Sequence, residues 1–197
     1  MTESWFRQNQ RSLPWRDGYD PYRVWVSEVM LQQTRMEVVL GYYDRFIKRF
    51  PSVAALSRAS VHDVTAAWSG LGYYRRARML RDGAIDVMTR FGGTIPKAVE
   101  GLMSIAGIGR YTAGAIASIA YGRRAPIVDG NIARIVARIF AIDAPLASPA
   151  LMRAAWLRAE EMVASSKSPR DFNQGLMELG ALVLAEPRLG QRSETAG

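Results

Sequence analysis

Two carboxylates in this chain sit where their chemistry could matter. Glu28 lies inside Trp25-Val26-Ser27-Glu28-Val29-Met30-Leu31, a strongly apolar stretch that follows Pro21-Tyr22. Ionising a carboxylate in such surroundings is unfavourable, so its pKa should rise, and a raised Glu is what a general acid working near neutral pH needs. The same side chain could instead face solvent or pair with an arginine. Asp129, in Val128-Asp129-Gly130-Asn131, opens an amphipathic segment. By position it is a helix N-cap, worth about 1 kcal/mol. It could also be a carboxylate held ionised by helix-terminal amides and placed to stabilise positive charge developing on a sugar, the electrostatic logic of glycoside cleavage. One neutral acid and one anion would make a two-carboxylate site.

Three further clusters suit contact with a nucleic acid. From Leu102 to Ile116 an apolar helix end runs into Ala106-Gly107-Ile108-Gly109, and a small-residue helix begins at once beside Arg110. Glycines two apart allow a sharp turn and leave no Cβ in the way of another molecule, while the first amides of the next helix point outward at the positive end of its dipole. This reads as a hairpin that grips a phosphate without reading sequence, or as a plain pair of helices with a glycine turn. In Leu71-Gly72-Tyr73-Tyr74-Arg75-Arg76-Ala77-Arg78 a glycine turn presents two aromatics, and three arginines follow on a helix. That composition suits base stacking and phosphate contact, or equally a core tyrosine and a solvated arginine face. Gln32, Gln33 and Thr34 end the Glu28 helix with polar side chains able to enter a duplex and replace an extruded base, or simply to close a helix.

The elements that must position these residues read as helices throughout. Apolar residues recur at helical spacing, as in Ile132, Ile135, Val136 and Ile139, and the nine prolines fall between periodic segments. Helices are expected to begin near Glu3, Tyr22, Arg35, Ser52, Ser60, Tyr74, Ala98, Arg110, Gly130, Pro149 and Pro169, with no sheet. With 197 residues, 49% of them hydrophobic, the chain can build one domain or two small interleaved ones. The net charge is +8, and only Lys48, Lys97 and Lys167 are lysines, so arginine supplies the basic excess. Arginine pairs bidentately with phosphate, which favours a nucleic-acid partner, although a coding bias toward arginine produces the same excess. There is no cysteine, which rules out disulfides, thiolate metal sites and cysteine nucleophiles within these residues. The lone His62, among polar helix residues, is expected at the surface, and no zinc site can be built around it. No signal peptide or membrane span is visible, so an intracellular, nucleoid-associated protein and no membrane partner are expected.

Taken in order, Leu13-Pro14-Trp15-Arg16, Ser27 through Thr34, Gly70-Leu71-Gly72-Tyr73-Tyr74, Gly107 through Gly114 and Val128-Asp129-Gly130-Asn131 closely resemble the catalytic domain of MutY-type adenine DNA glycosylases, within the helix-hairpin-helix endonuclease III superfamily. Phe172-Asn173-Gln174 and Glu178-Leu179-Gly180-Ala181 extend the likeness over roughly residues 3–185. The resemblance implies an all-α fold with two helical subdomains flanking a cleft. Residues 22–131 would form a six-helix domain carrying the hairpin, and residues 1–21 with 132–197 would form the second. It implies removal of adenine mispaired with 8-oxoguanine or guanine by hydrolysis of the N-glycosidic bond, the adenine being flipped out of double-stranded DNA. On this likeness Glu28 protonates the adenine ring nitrogen N7, and Asp129 stabilises the oxocarbenium-like intermediate. Tyr111 and Asn131 support those two groups. Glu178 helps hold the adenine. Gln33 and Tyr73 insert around the lesion with Arg16, Leu31, Gln32 and Thr34 nearby, and Gly107, Gly109 and Arg110 hold a phosphate.

Bifunctional relatives carry a hairpin lysine nucleophile where this chain has Tyr111, and no lysine lies between Lys97 and Lys167. Base removal without Schiff-base strand cleavage is therefore expected. The family ends this domain with four cysteines around a [4Fe–4S] cluster and adds a C-terminal Nudix-like domain that recognises 8-oxoguanine. This sequence has neither, so no cofactor is expected, with Arg188 and Arg192 as replacements for the DNA contacts of the cluster loop. A monomer is expected. The alternatives are a related glycosylase of altered base or mismatch specificity, a non-enzymatic DNA-binding protein on the same scaffold and, more remotely, an unrelated helical signalling domain.

Overall fold

The computed structural model describes residues 2–146 and 148–185. The expected Arg188 and Arg192 contacts lie outside these residues. The described residues form eleven α-helices and no strand. These are α1 (Thr2–Asn9), α2 (Pro21–Leu31), α3 (Met36–Arg49), α4 (Val53–Arg58), α5 (Val61–Ala67), α6 (Arg75–Arg90), α7 (Val99–Met103), α8 (Arg110–Ala115), α9 (Gly130–Ile139), α10 (Pro149–Ser165) and α11 (Pro169–Ala185). Each begins within one residue of its expected start. A 3₁₀ turn, Pro14–Arg16, precedes α2, and α8 continues into a π-helical turn, Ile116–Ala120.

Local chemistry explains the boundaries. Asp20, Ser52, Ser60, Asp129 and Ser148 cap α2, α4, α5, α9 and α10 by accepting a backbone N–H two residues into the helix, and Pro21 and Pro149 occupy first helical positions. No described helix is long and apolar enough to cross a membrane. His62 is exposed.

Helix α2 lies at the centre and is buried on all sides, from Val24 through Met30. It packs on α3, α6, α8 and the π-helical turn. Trp25, Trp68, Tyr43, Phe6 and Phe46 are the bulkiest fully buried side chains, and Trp15–Tyr43 and Phe46–Trp68 meet edge to face at 5.1 and 5.6 Å. The two ends of the chain share a packing unit. Helix α1 lies along α11, and α9 packs on both α10 and α11. Glu3 Oε1 accepts the N–H groups of Lys167 and Ser168 at 2.8 and 3.0 Å, so α1 restrains the entry to α11. Asn173 then stitches α11 to the π-helical turn, donating to Ser118 Oγ at 2.8 Å and to the Ala125 carbonyl at 2.9 Å. This register sets the residues of α11 against those of α2 and α8.

Candidate active site

A cavity of about 490 Å³ opens between α2, α8, the start of α9 and α11. Its lining includes Glu28, Tyr111, Asp129, Asn131, Glu178, Arg16, Leu31 and Thr34. An adjoining lobe of about 520 Å³ shares Glu28, Leu31, Tyr111 and Asp129 and adds Gln32, Gln33 and Gly130. Residues separated by 100 positions or more in sequence are thus gathered on one cleft.

Glu28 is 4% exposed because the helix that carries it is buried on every side. Burial pushes its carboxyl from an ordinary 4.5 to about 7; the Tyr111 hydroxyl bonded to it and the Arg16 charge pull down, and the Asp129 charge pushes up. The carboxyl therefore holds its proton near neutral pH. Between 4.5 and about 7 the folded chain keeps a proton that the unfolded chain has lost, so stability falls as pH rises through that window, by about 3 kcal/mol in all. Burial also raises the Tyr111 hydroxyl well above its ordinary range, so it remains a donor to Glu28.

Asp129 caps α9, with Oδ1 accepting the Ile132 N–H at 2.7 Å. The capping expectation is met, and the same carboxylate lines the cleft. Capping and facing a reacting sugar are thus compatible. Asn131 accepts a hydrogen bond from Arg134 Nη2 at 2.9 Å, and α11 passes so close that a Cβ on Gly180 would lie 3.1 Å from Asn131 Cβ.

Glu178 is buried at the far wall with both oxygens engaged. Arg16 Nη2 donates to Oε1 at 2.8 Å, and Arg11 Nη2 to Oε2 at 2.6 Å. Arg16 is fixed in turn by Gln174 Oε1 at 2.8 Å, the Arg11 carbonyl at 2.7 Å and the Phe6 ring at 5.0 Å. The sequence assigns Arg11 no part in the site and Gln174 only a place in the likeness, without a role. The available signal was the i, i+4 spacing of Gln174 and Glu178, which sets two polar side chains on one face of the helix.

Other predicted residues lie toward the rim, Gln33 on the lobe it shares with Glu28 and Tyr73 beyond it. Gln33 and Tyr73 are exposed, Tyr73 by 62%, on separate turns beside a third cavity that also touches Gly107. In the hairpin, Gly107 adopts φ +78°, and a Cβ there would meet Met79 Cβ at 2.8 Å, so the turn requires glycine. Gly109 has φ −87°, and a Cβ would touch nothing. The protein's own packing does not explain that glycine, whereas an approaching ligand would. Asp86 Oδ2 holds the hairpin by accepting the Ala106 N–H at 2.8 Å. Arg110 stacks on Trp156 of α10 at 3.8 Å, away from the cleft.

The sequence profile of the HhH-GPD superfamily of base excision DNA repair proteins matches residues 26–159. The adenine DNA glycosylase of Homo sapiens is 45% identical over 94% of this chain, which spans only 35% of that relative's length. A thermostable thymine-DNA glycosylase superposes with a TM-score of 0.82 at 27% identity, covering 95% of this chain and 86% of that one. An endonuclease III trapped on DNA has a TM-score of 0.70 at 17% identity over 89% of this chain and 80% of that one, which speaks for the fold alone.

Proposed function

We propose, from the premise that this chain belongs to the HhH-GPD superfamily of base excision DNA repair proteins, that it is a monofunctional glycosylase removing adenine mispaired with 8-oxoguanine or guanine in double-stranded DNA. The observation that carries the reading is the carboxyl of Glu28, 4% exposed and raised by burial to about 7, lining the same cleft as the helix-capping Asp129. An acid and an anion in one cleft suit cleavage of a bond whose leaving group needs a proton and whose sugar becomes a cation.

In the proposed reaction the flipped adenine lies against the Arg16–Glu178 wall. The glycosidic electron pair leaves with the base, and Glu28 gives its proton to N7. The sugar carries the positive charge opposite the Asp129 carboxylate. Water adds to the anomeric carbon, and its proton passes to the Glu28 carboxylate, restoring the acid. Tyr111 keeps Glu28 oriented, and Asn131 packs between Asp129 and α11. Gln33 and Tyr73 enter the duplex with Leu31, Gln32 and Thr34 at the cleft rim. The backbone at Gly107 and Gly109, with Arg110 beside it, holds a phosphate. On this reading the chain divides into a lobe over 22–131, which holds α2 to α8, and a lobe from both termini, and the base binds between them.

The iron–sulfur cluster of the likeness does not fit here. It needs four thiolates, none of the 197 residues is a cysteine, and among the described residues no three His, Asp or Glu side chains gather as a metal ligand set. No step is routed through it.

The test is single-turnover incubation with duplexes carrying A opposite 8-oxoguanine, G, C or T, with Glu28→Gln as control and alkali to cleave abasic sites. Release from the 8-oxoguanine and G mispairs, lost in the variant and invisible without alkali, is the expected result. Tight binding without release from any duplex would contradict the proposal, and strand scission without alkali would contradict the monofunctional part.

A further inference from the structure

Arg76 occupies an unusual place. The buried face of α6 runs through Ala77, Leu80, Gly83, Ala84 and Val87, and Arg76 flanks its head, four residues before Leu80 and partly buried. Its guanidinium reaches two separate turns. Toward the Gln33 turn, Nη1 donates to the carbonyls of Val29 and Met30 at 3.0 Å each and to that of Gln32, and Nη2 donates to Thr34 Oγ1 at 3.1 Å. Toward the Tyr73 turn, Nη2 donates to the carbonyls of Leu71 and Gly72 at 3.3 Å, and the group lies 5.5 Å from the Tyr73 ring.

Every one of these acceptors is neutral. Among the described residues Arg76 has no carboxylate partner, and its Nε is buried without a hydrogen bond. Burial lowers its pKa, the sign of a cation held where water would serve it better. The compensating negative charge is the carbonyl end of α2, whose last peptide groups it satisfies. A fold does not need so unfavourable a group to close a helix, since a hydroxyl or water would do. What the guanidinium adds is a planar fork that spans two chain segments at once.

Those two segments share a further property. Gln33 (φ +55°) and Tyr73 (φ +49°) both hold a left-handed backbone without being glycine, and both side chains are exposed. Such conformations persist only where the surroundings impose them.

We infer that Arg76 is the positioning residue that locks the Gln33 and Tyr73 turns into one preformed wedge, so that base extrusion does not have to order two loops. This rests on the proposed insertion of those two residues into DNA. Without Arg76 the turns relax, and extrusion of a paired adenine slows, while chemistry on an adenine already free of a partner does not.

The test compares single-turnover adenine release from two duplexes, one with A opposite G and one with A opposite a tetrahydrofuran abasic analogue, for wild type, Arg76→Met and Arg76→Lys. Arg76→Met should slow release from the paired adenine by about 10- to 100-fold and from the unpaired adenine by less than about threefold. Its pH profile should be unchanged, since Glu28 is untouched. Arg76→Lys should fall between, because an ammonium cannot span both turns, and it carries the same comparison if Arg76→Met does not fold. Equal losses on both duplexes would reveal a merely structural role and overturn the inference, as would no loss on the paired one. A Gln33→Ala/Tyr73→Ala variant with the wild-type ratio between duplexes would remove the wedge, and Arg76's role with it, while leaving the glycosylase standing. Wild type inert on both duplexes would contradict the glycosylase itself.

Discussion

At the scale of single residues, Asp129 joins two demands in one side chain. As the cap of α9 it needs only an acceptor oxygen, whereas in the proposed reaction it needs a charge. Asparagine separates them. Asp129→Asn keeps an oxygen for the Ile132 N–H and should melt close to wild type, yet lose about 100- to 1,000-fold in single-turnover adenine release. Asp129→Ala should lose the same activity and about 1 kcal/mol of stability besides. Thermal melts run beside the kinetics check both, and an Asn variant that melts early or keeps its rate would show that the cap alone matters. The apolar neighbours of Glu28 allowed a buried acid or a solvent-facing one, and the fold decides between them because α2 is packed on every side. The Arg11–Glu178–Arg16 triad was not, since its three members stand on segments that meet only when α1 and the turn before α2 dock on α11.

The hairpin belongs to the scale of elements. Its two glycines look alike in sequence and differ in structure. Gly107 is required by its own turn and by Met79, whereas Gly109 is required by nothing inside the protein. Gly107→Ala should therefore lower both thermal stability and DNA affinity. Gly109→Ala should melt like wild type and still bind DNA more weakly, because its new methyl stands where the phosphate would approach. A Gly109→Ala protein with unaltered affinity would place the phosphate elsewhere. The helix starts were readable because prolines and capping residues act locally, within a turn of the boundary they set. The π-helical turn was not readable. It depends on Arg170, which donates to the Ile119 and Ala120 carbonyls from across the molecule, and on Asn173. Arg76 was half legible. The sequence marks it as one of three arginines after a glycine turn, suited to phosphate or solvent, but only the fold shows that it faces two turns.

Across the whole molecule, a basic, arginine-rich chain encloses a cleft that holds Glu28, a carboxyl whose pKa burial raises to about 7. The +8 charge would draw DNA to the surface without choosing a site. Choice would fall to the wedge turns and chemistry to Glu28, which burial in the central helix keeps protonated. Its activity has a fixed sign with pH: the competent form is protonated, so activity is full below about 7 and lost as pH rises through it. The most direct measurement is the single-turnover rate of adenine release from an A opposite G duplex, at saturating protein, from about pH 5 to about pH 9. The account predicts a rate that falls with a midpoint near 7, and no measurable release by Glu28→Gln at any pH. A flat profile, or a Glu28→Gln protein that still releases adenine, would contradict it.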